Sequence, residues 1–196
     1  MLITLQNICR ASLTQQEAIL MIRNQDDIRS MMYTEHVINI TEHLAWIEGL
    51  RAKSLKDKPT QIAFIILVNN KVAGLISLNA IDYLHKKADL GFYLDKQFRI
   101  VSASVEFAII DFSFNILGLE KLNCEVLEHN NNALKVHRNL GFLDEGFRPD
   151  NIKKQLGRVG VHYLGICQKR WQRVHNTIFT KYRIVFDKYK VQIEFS

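Results

Sequence analysis

Asn130, Ala133, His137 and Gly141 carry the spacing in this sequence that most suggests chemistry. Steps of three, four and four place them on one face of a helix. That face offers an amide, a small residue, a titratable imidazole and no bulk, whereas a purely structural face would more usually carry Leu or Ile. It reads as a wall against which something narrow lies. An imidazole exchanges protons near neutral pH, so His137 is a candidate general acid. As a lone helical histidine it reads equally well as a satisfied core residue. A second stretch, Arg99-Ile100-Val101-Ser102-Ala103-Ser104, puts a cation and two hydroxyls at the start of another helical pattern. It is either a place for an anion above a helix N-terminus or an ordinary serine-rich cap.

The elements that must position these residues follow from periodicity. Leu122, Cys124 and Val126 alternate with Asn123, Glu125 and Leu127 in a strand covered on both faces. The Asn run at 130–132 suits a strand-to-helix corner, and Gly141 suits the left-handed residue after the helix. Upstream, Leu2 to Ile8 reads as a strand. Thr14 with Glu17 makes a capping box for a helix running to about Asn24. A second helix starts near Asn39 or Thr41, its buried stripe being Leu44, Ile47 and Leu50 or Arg51. Asp26 to Ile38 has neither period and reads as a loop or short helix over a site. Gln61–Val68 and Val72–Leu78 form a hairpin around Asn69-Asn70, and Ala88–Leu94 is a third strand. Ser102–Leu117 is a helix stopped by Gly118. Phe142 to about Arg148 and Val159–Gln168 are two further strands. In residues 171–196, Val191, Ile193 and Phe195 alternate like a strand behind a stretch that could be helical: an extra edge element, or a tail that packs on a partner chain.

Asn130 to Phe142 resembles the last cofactor-binding segment of the GNAT (Gcn5-related) acetyltransferases, and the order of elements is similar to theirs over residues 2–171. The resemblance implies an α/β fold: a mixed, mostly antiparallel sheet with helices on both faces and a cofactor cleft between two splayed central strands. Residues 1–170 would be the acetyltransferase domain and 171–196 an extension. It implies acetyl-CoA as co-substrate and no metal. Leu90, Gly91, Phe92, Arg99, Ser102, Ala103, Ser104, Asn130, Ala133 and His137 would line the cofactor, with a β-strand N–H near Leu90–Phe92 stabilising the oxyanion. In the family the turn at 99–104 carries glycines where this chain has Ser102 and Ser104, and a tyrosine stands where it has His137. A Cβ at each serine narrows the approach and disfavours positive φ.

Arg23-Asn24, Met31-Met32-Tyr33, Thr41–Leu44, Ser77–Asn79, Tyr83-x-His85 and Leu90–Tyr93 resemble a narrower group, the nucleotide-sugar N-acetyltransferases of pseudaminic acid biosynthesis, which serve flagellin and surface-glycan modification. That resemblance implies transfer to the 4-amino group of UDP-4-amino-4,6-dideoxy-N-acetyl-β-L-altrosamine. Arg23, Met32, His43, Asn79, His85 and Tyr93 would meet the nucleotide-sugar, and Ser77 would position the reacting groups. Arg pairs diphosphates bidentately, and Met offers an adaptable apolar surface. Gly141–Gly146 also resembles the ribosomal-protein acetyltransferases, leaving a protein N-terminus or another small amine as alternative acceptors. Loss of the turn glycines leaves a non-catalytic domain open as well.

Composition sets the outer limits. The 196 residues are enough for one domain, and 47% hydrophobic with 23% charged, nine Gly and two Pro is ordinary for a globular chain. Three dispersed cysteines point to reduced thiols in a cytoplasmic setting. The net charge of +6 is spread without a basic stripe, so nucleic acid is not an expected partner. No apolar run reaches membrane-spanning length. A homodimer is the candidate assembly.

Overall fold

The computed structural model describes residues 1–54 and 58–195. Eight strands form one sheet: β1 (Leu2–Asn7), β2 (Ile62–Val68), β3 (Lys71–Asp82), β4 (Lys87–Leu94), β5 (Lys121–Leu127), β6 (Leu143–Lys154), β7 (Gly157–Cys167) and β8 (Lys190–Glu194). Their order is β6-β7-β5-β4-β3-β2-β1-β8. Neighbours are antiparallel except β4–β5 and β1–β8. The helices are α1 (Leu13–Arg23), α2 (Asp26–Arg29), α3 (Ile40–Ser54), α4 (Ser102–Asn115), α5 (Asn131–Asn139) and α6 (Gln168–Lys188). This is the mixed sheet expected from the order of periodic segments. Among the described residues no helix is long and apolar enough to cross a membrane.

Over β2 both faces of the sheet are covered, which explains why that strand is apolar along its whole length; β5, expected to be covered on both faces, instead leaves Glu125 exposed because the split runs beside it. On one face Ala63, Ile65, Leu67 and Leu75 pack with Ile19 of α1 and Ile47 and Leu50 of α3. On the other, Phe64, Ile76, Leu90, Leu122, Cys124 and Leu164 pack under α4, α5 and α6.

Two details of the first helices differ from the sequence expectation. The cap of α1 is Ser12, whose side chain takes the Gln15 N–H while Gln15 reaches back to the Ser12 N–H. Thr14 and Glu17 are therefore already inside the helix. In α3 the buried stripe is His43, Ile47 and Leu50, and Leu44 is exposed. Asn39 and Glu42 cap that helix reciprocally, which fixes its phase one residue earlier than Leu44 would need. The segment after residue 170 joins the sheet: α6 buries Trp171 and Ile178, and β8 adds a parallel strand beside β1.

The decisive feature is the β4–β5 pair. The strands run parallel and their ladder holds only Lys87–Lys121, Ala88–Leu122 and Asp89–Asn123. Beyond it, β4 continues to Leu94 and β5 to Leu127 without pairing to each other. Each meanwhile stays paired on its outer side, to β3 and β7. The sheet is split from Leu90 and Cys124 onward, and both strands lead from the split end into helices, α4 and α5.

Candidate active site in the split sheet

Each bank of the split carries its own chemistry. On β4, Gly91 faces Ser77 across the β3 ladder. A Cβ on Gly91 would stand 2.9 Å from Ser77 Oγ and 3.1 Å from Asn79 Nδ2, so glycine is what leaves room for this polar pair. Asn79 donates to Ser77 Oγ at 3.0 Å and accepts from Gln61 Nε2 at 2.8 Å. Asp89 accepts from Asn123 at 3.2 Å where the ladder ends. The peptide groups of Leu90, Gly91 and Phe92 that face β5 lie outside any ladder, free to hydrogen-bond a ligand.

Residues 25–36 cross the split as a strap. On the β4 side, Gln25 donates to Asp95 at 2.8 Å and Asp27 pairs with Arg99 at 2.7 Å. On the β5 side, the Tyr33 hydroxyl donates to the Glu125 carboxylate and the His129 ring meets the Ser30 carbonyl at 3.2 Å. At the far end Lys154 of β6 donates to the Met32 carbonyl, and Glu35 accepts from the Gln155 N–H at 2.8 Å. The sequence marked this segment as a cover over a site, and the structure shows what fastens it. Burial and the Glu125 carboxylate both hold the Tyr33 hydroxyl well above the ordinary phenol value.

Arg23 ends α1 beside this strap. Its Nη2 donates to the Thr34 carbonyl at 3.2 Å, while Nη1 is buried with no partner. Burial lowers its pKa, and the Tyr93 side chain of β4 stands beside it, its own hydroxyl raised by burial. Arg29 likewise buries an unpartnered Nε. A desolvated guanidinium N–H without an acceptor is costly to leave unmade, and Arg23 and Arg29 each carry one.

At the end of β4 the chain makes a 3-10 turn, Lys96–Val101, and enters α4 at Ser102. No side chain caps α4, and the Ser102 N–H is already taken by the Arg99 carbonyl of the preceding 3-10 turn. Ser104 Oγ is buried there and has no partner. Ser102 sits in the right-handed helical region, and no residue from Arg99 to Ser104 has positive φ. The strain anticipated for serine in place of glycine is absent. Arg99 is exposed and, among the described residues, paired only to Asp27.

The α5 face is divided. Asn130 caps the helix, accepting from the Ala133 N–H at 3.2 Å, and Ala133 is half-buried. Lower down, the chain itself fills the wall. His137 is 6% exposed, and its Nδ1 lies 2.5 Å from Oε1 of Glu106, a fully buried residue of α4. Phe142 packs on the ring at 5.3 Å. Burial pulls the imidazole pKa down, but the Glu106 carboxylate and the Cys124 thiol together outweigh it and hold the ring well above its ordinary value. Gly141 has φ +96°, and a Cβ there would stand 3.1 Å from Val174 of α6.

Two further candidates lie elsewhere. His43 is buried under α1, Nε2 2.9 Å from the Gln16 carbonyl, and stacks near Trp46. His85 is exposed on the β3–β4 turn beside Asp82, at the paired end of β4 and not the split end. Glu106, Glu125 and Asp89 were not singled out from sequence. An acidic residue at the fifth position of an apolar helix is the one signal that pointed to Glu106.

A model of the acetyltransferase (GNAT) domain matches residues 9–143. The spermidine N(1)-acetyltransferase of Escherichia coli K12 is 28% identical over 103 residues, 51% of this chain and 54% of that protein. YdaF of Bacillus subtilis, provisionally named a ribosomal N-acetyltransferase, is 24% identical over 110 residues, 55% of this chain and 60% of that protein. The chain thus spans little more than half the length of these relatives. Its fold resembles the Vibrio cholerae spermidine N-acetyltransferase solved with CoA and spermine, at TM-score 0.75 and 22% identity over 87% of this chain and 98% of that one.

Proposed function

We propose, from the premise that this chain belongs to the acetyltransferase (GNAT) domain family, that it acetylates a primary amine from acetyl-CoA, and that the amine is the 4-amino group of a UDP-linked deoxy amino sugar. Acetyl-CoA fits the residues present: the buried, unpartnered Ser104 hydroxyl and Arg99 would hold its phosphates, and the split beyond Asp89 would take its arm. When bound it supplies an activated acyl thioester. Everything else falls to the chain.

The free N–H groups of β4 at Leu90–Phe92 polarise the acyl carbonyl and receive the charge that develops on its oxygen. Ser77 and Asn79 keep β4 in register beside them. The strap closes over the split and orients the acceptor, with Met32 and Tyr33 as its apolar surface. His137 has its proton shared with Glu106 in the core, so it positions α5 against α4, and water returns the proton to the leaving thiolate. Asn130 supports the same bank by fixing the start of α5.

The observation that carries the acceptor class is Arg23, whose Nη1 is buried and unpartnered beside Tyr93. A diphosphate oxygen would give that N–H its acceptor. A polycationic amine would not.

A second reading keeps the chemistry and changes the acceptor to a small polyamine or a protein N-terminus. Asp89 and Glu125 favour it, two exposed carboxylates on the acceptor side of the banks, as do the names of the relatives. An acceptor panel of UDP-4-amino sugars, spermidine and short peptides, followed by thiol release, separates them. We expect release with the sugars only, and Arg23→Ala to lower that rate about a hundredfold through KM, as loss of a charged hydrogen bond implies. Release with spermidine and none with the sugars would overturn the nucleotide-sugar reading while leaving the transferase reading intact.

A further inference from the structure

The outer edge of β8 is bare. This strand ends the sheet order. It pairs with β1 from Leu2–Lys190 to Gln6–Glu194 and has no strand on its other side among the described residues. An open edge is a template for one more strand. Gln192 donates to Thr4 Oγ1 at 2.9 Å, which places Lys190, Gln192 and Glu194 on the α1–α3 face of the sheet. Val191 and Ile193 point to the other face. There they line an open groove of about 600 Å³ with Phe112 of α4, Ile116 just beyond that helix, and Phe195. Ile116 is 69% exposed, a large apolar side chain left in water at the rim.

We propose that the occupant of this edge is a second copy of the chain, its β8 antiparallel to this one about a two-fold axis through Gln192. The argument is the order of residues in the strand, Lys190-Val191-Gln192-Ile193-Glu194. Under that axis Lys190 lies opposite Glu194 of the partner subunit, and Glu194 opposite Lys190 of the partner subunit. Val191 meets the partner's Ile193 on the groove side. Charge and apolarity are therefore self-complementary, as an isologous contact requires. A parallel pairing in register sets Lys190 on Lys190 and Glu194 on Glu194, and a one-residue slip moves the charges onto the wrong face. Five paired residues alone bury less than the ~800 Å² per partner of a stable interface. The contiguous groove lets the apolar side chains of α4 add to it, joining two sheets into one.

Sedimentation of the full chain tests this without reference to acetyl transfer. We expect a dimer. Lys190→Glu and Glu194→Lys should each weaken its dissociation constant by about tenfold or more, because two repulsive pairs replace two attractive ones. The double variant should return to within about threefold of the native chain. Gln192→Cys should cross-link on oxidation, since opposed Cα atoms in an antiparallel pair stand about 4.5–5.5 Å apart. Glu194→Cys should not. The native chain, with its exposed Cys167, is the control for both, and circular dichroism confirms that each variant is folded. A monomer at all concentrations overturns the proposal, as does a dimer indifferent to the charge exchange or a Gln192→Cys chain that never cross-links.

Discussion

Two histidines are equally hidden from solvent on opposite faces of the sheet, and they hold opposite charge preferences. His43, under α1, faces a backbone carbonyl. Burial lowers its pKa, the Gln16 hydrogen bond opposing, and the ring rests neutral. His137, under α5, faces a carboxylate, and Glu106 with Cys124 more than reverses the effect of burial. Exposure is 5% for one and 6% for the other, so solvent exposure does not decide the state. The partner does. The neutral histidine belongs to the packed half of the molecule, where α1 and α3 meet the sheet. The ionic one ties α4 to α5, the two helices that leave the split, and it keeps those banks in place.

The largest effect should come from breaking the ionic pair on one side only. His137→Ala leaves the Glu106 carboxylate in the core with Oε2 already unpartnered, and a stranded buried charge costs about 3–5 kcal/mol. His43→Ala, which loses packing and one hydrogen bond, should cost about 1–3 kcal/mol. Urea unfolding of both variants measures the gap, and equal losses would remove the contrast.

Removing both charges sharpens it further. Glu106→Leu with His137→Phe should recover stability to within about 1.5 kcal/mol of the native chain, as neutral replacements of buried pairs do. The same variant tests the positioning role. Retained kcat supports it, whereas lost turnover with unchanged acetyl-CoA affinity would make His137 the acid that the sequence suggested.

The pH dependence carries opposite signs for the two rings. For His137 the folded pKa is raised, so its contribution is full below the ordinary value of 6.5 and is lost as pH climbs through the higher folded value. For His43 the folded pKa is lowered, so its contribution is full above 6.5 and is lost as pH falls through the lower value. Thermal midpoints across pH should therefore fall on both sides. His43→Phe should flatten the acid limb, and the neutral double variant the alkaline one. An unchanged profile in either variant contradicts the assignment for that ring.

The smallest effect belongs to the exposed counterpart of the buried pair. Arg99 and Asp27 join the strap to the turn before α4, both well exposed. Asp27→Asn should change stability by less than about 1 kcal/mol. By freeing Arg99 for phosphate it should tighten acetyl-CoA binding by no more than about fivefold, as calorimetry would show. Weaker binding would mean that the strap, not the cation, is what the pair serves.

What the sequence determined by itself is local. Asn130 at a strand-to-helix corner, Gly141 beyond the end of α5, the continuous apolar run of β2 and the unperiodic 26–38 stretch all set structure through residues one to four positions away. The resemblance in that same span supplied the family. Even locally, competition misled: Ser12 outranked Thr14 as a cap because Gln15 could reciprocate, and Asn39 with Glu42 set the phase that put His43 inside. The tertiary structure alone decided where the β4–β5 ladder stops and which side chains fasten the strap. It alone joined His137 to a carboxylate 31 positions away, left Arg23 Nη1 without an acceptor, and laid β8 beside β1. These depend on registers between segments far apart in the chain. A strand's period of two tells which face a side chain takes, but not which neighbour will stand across from it.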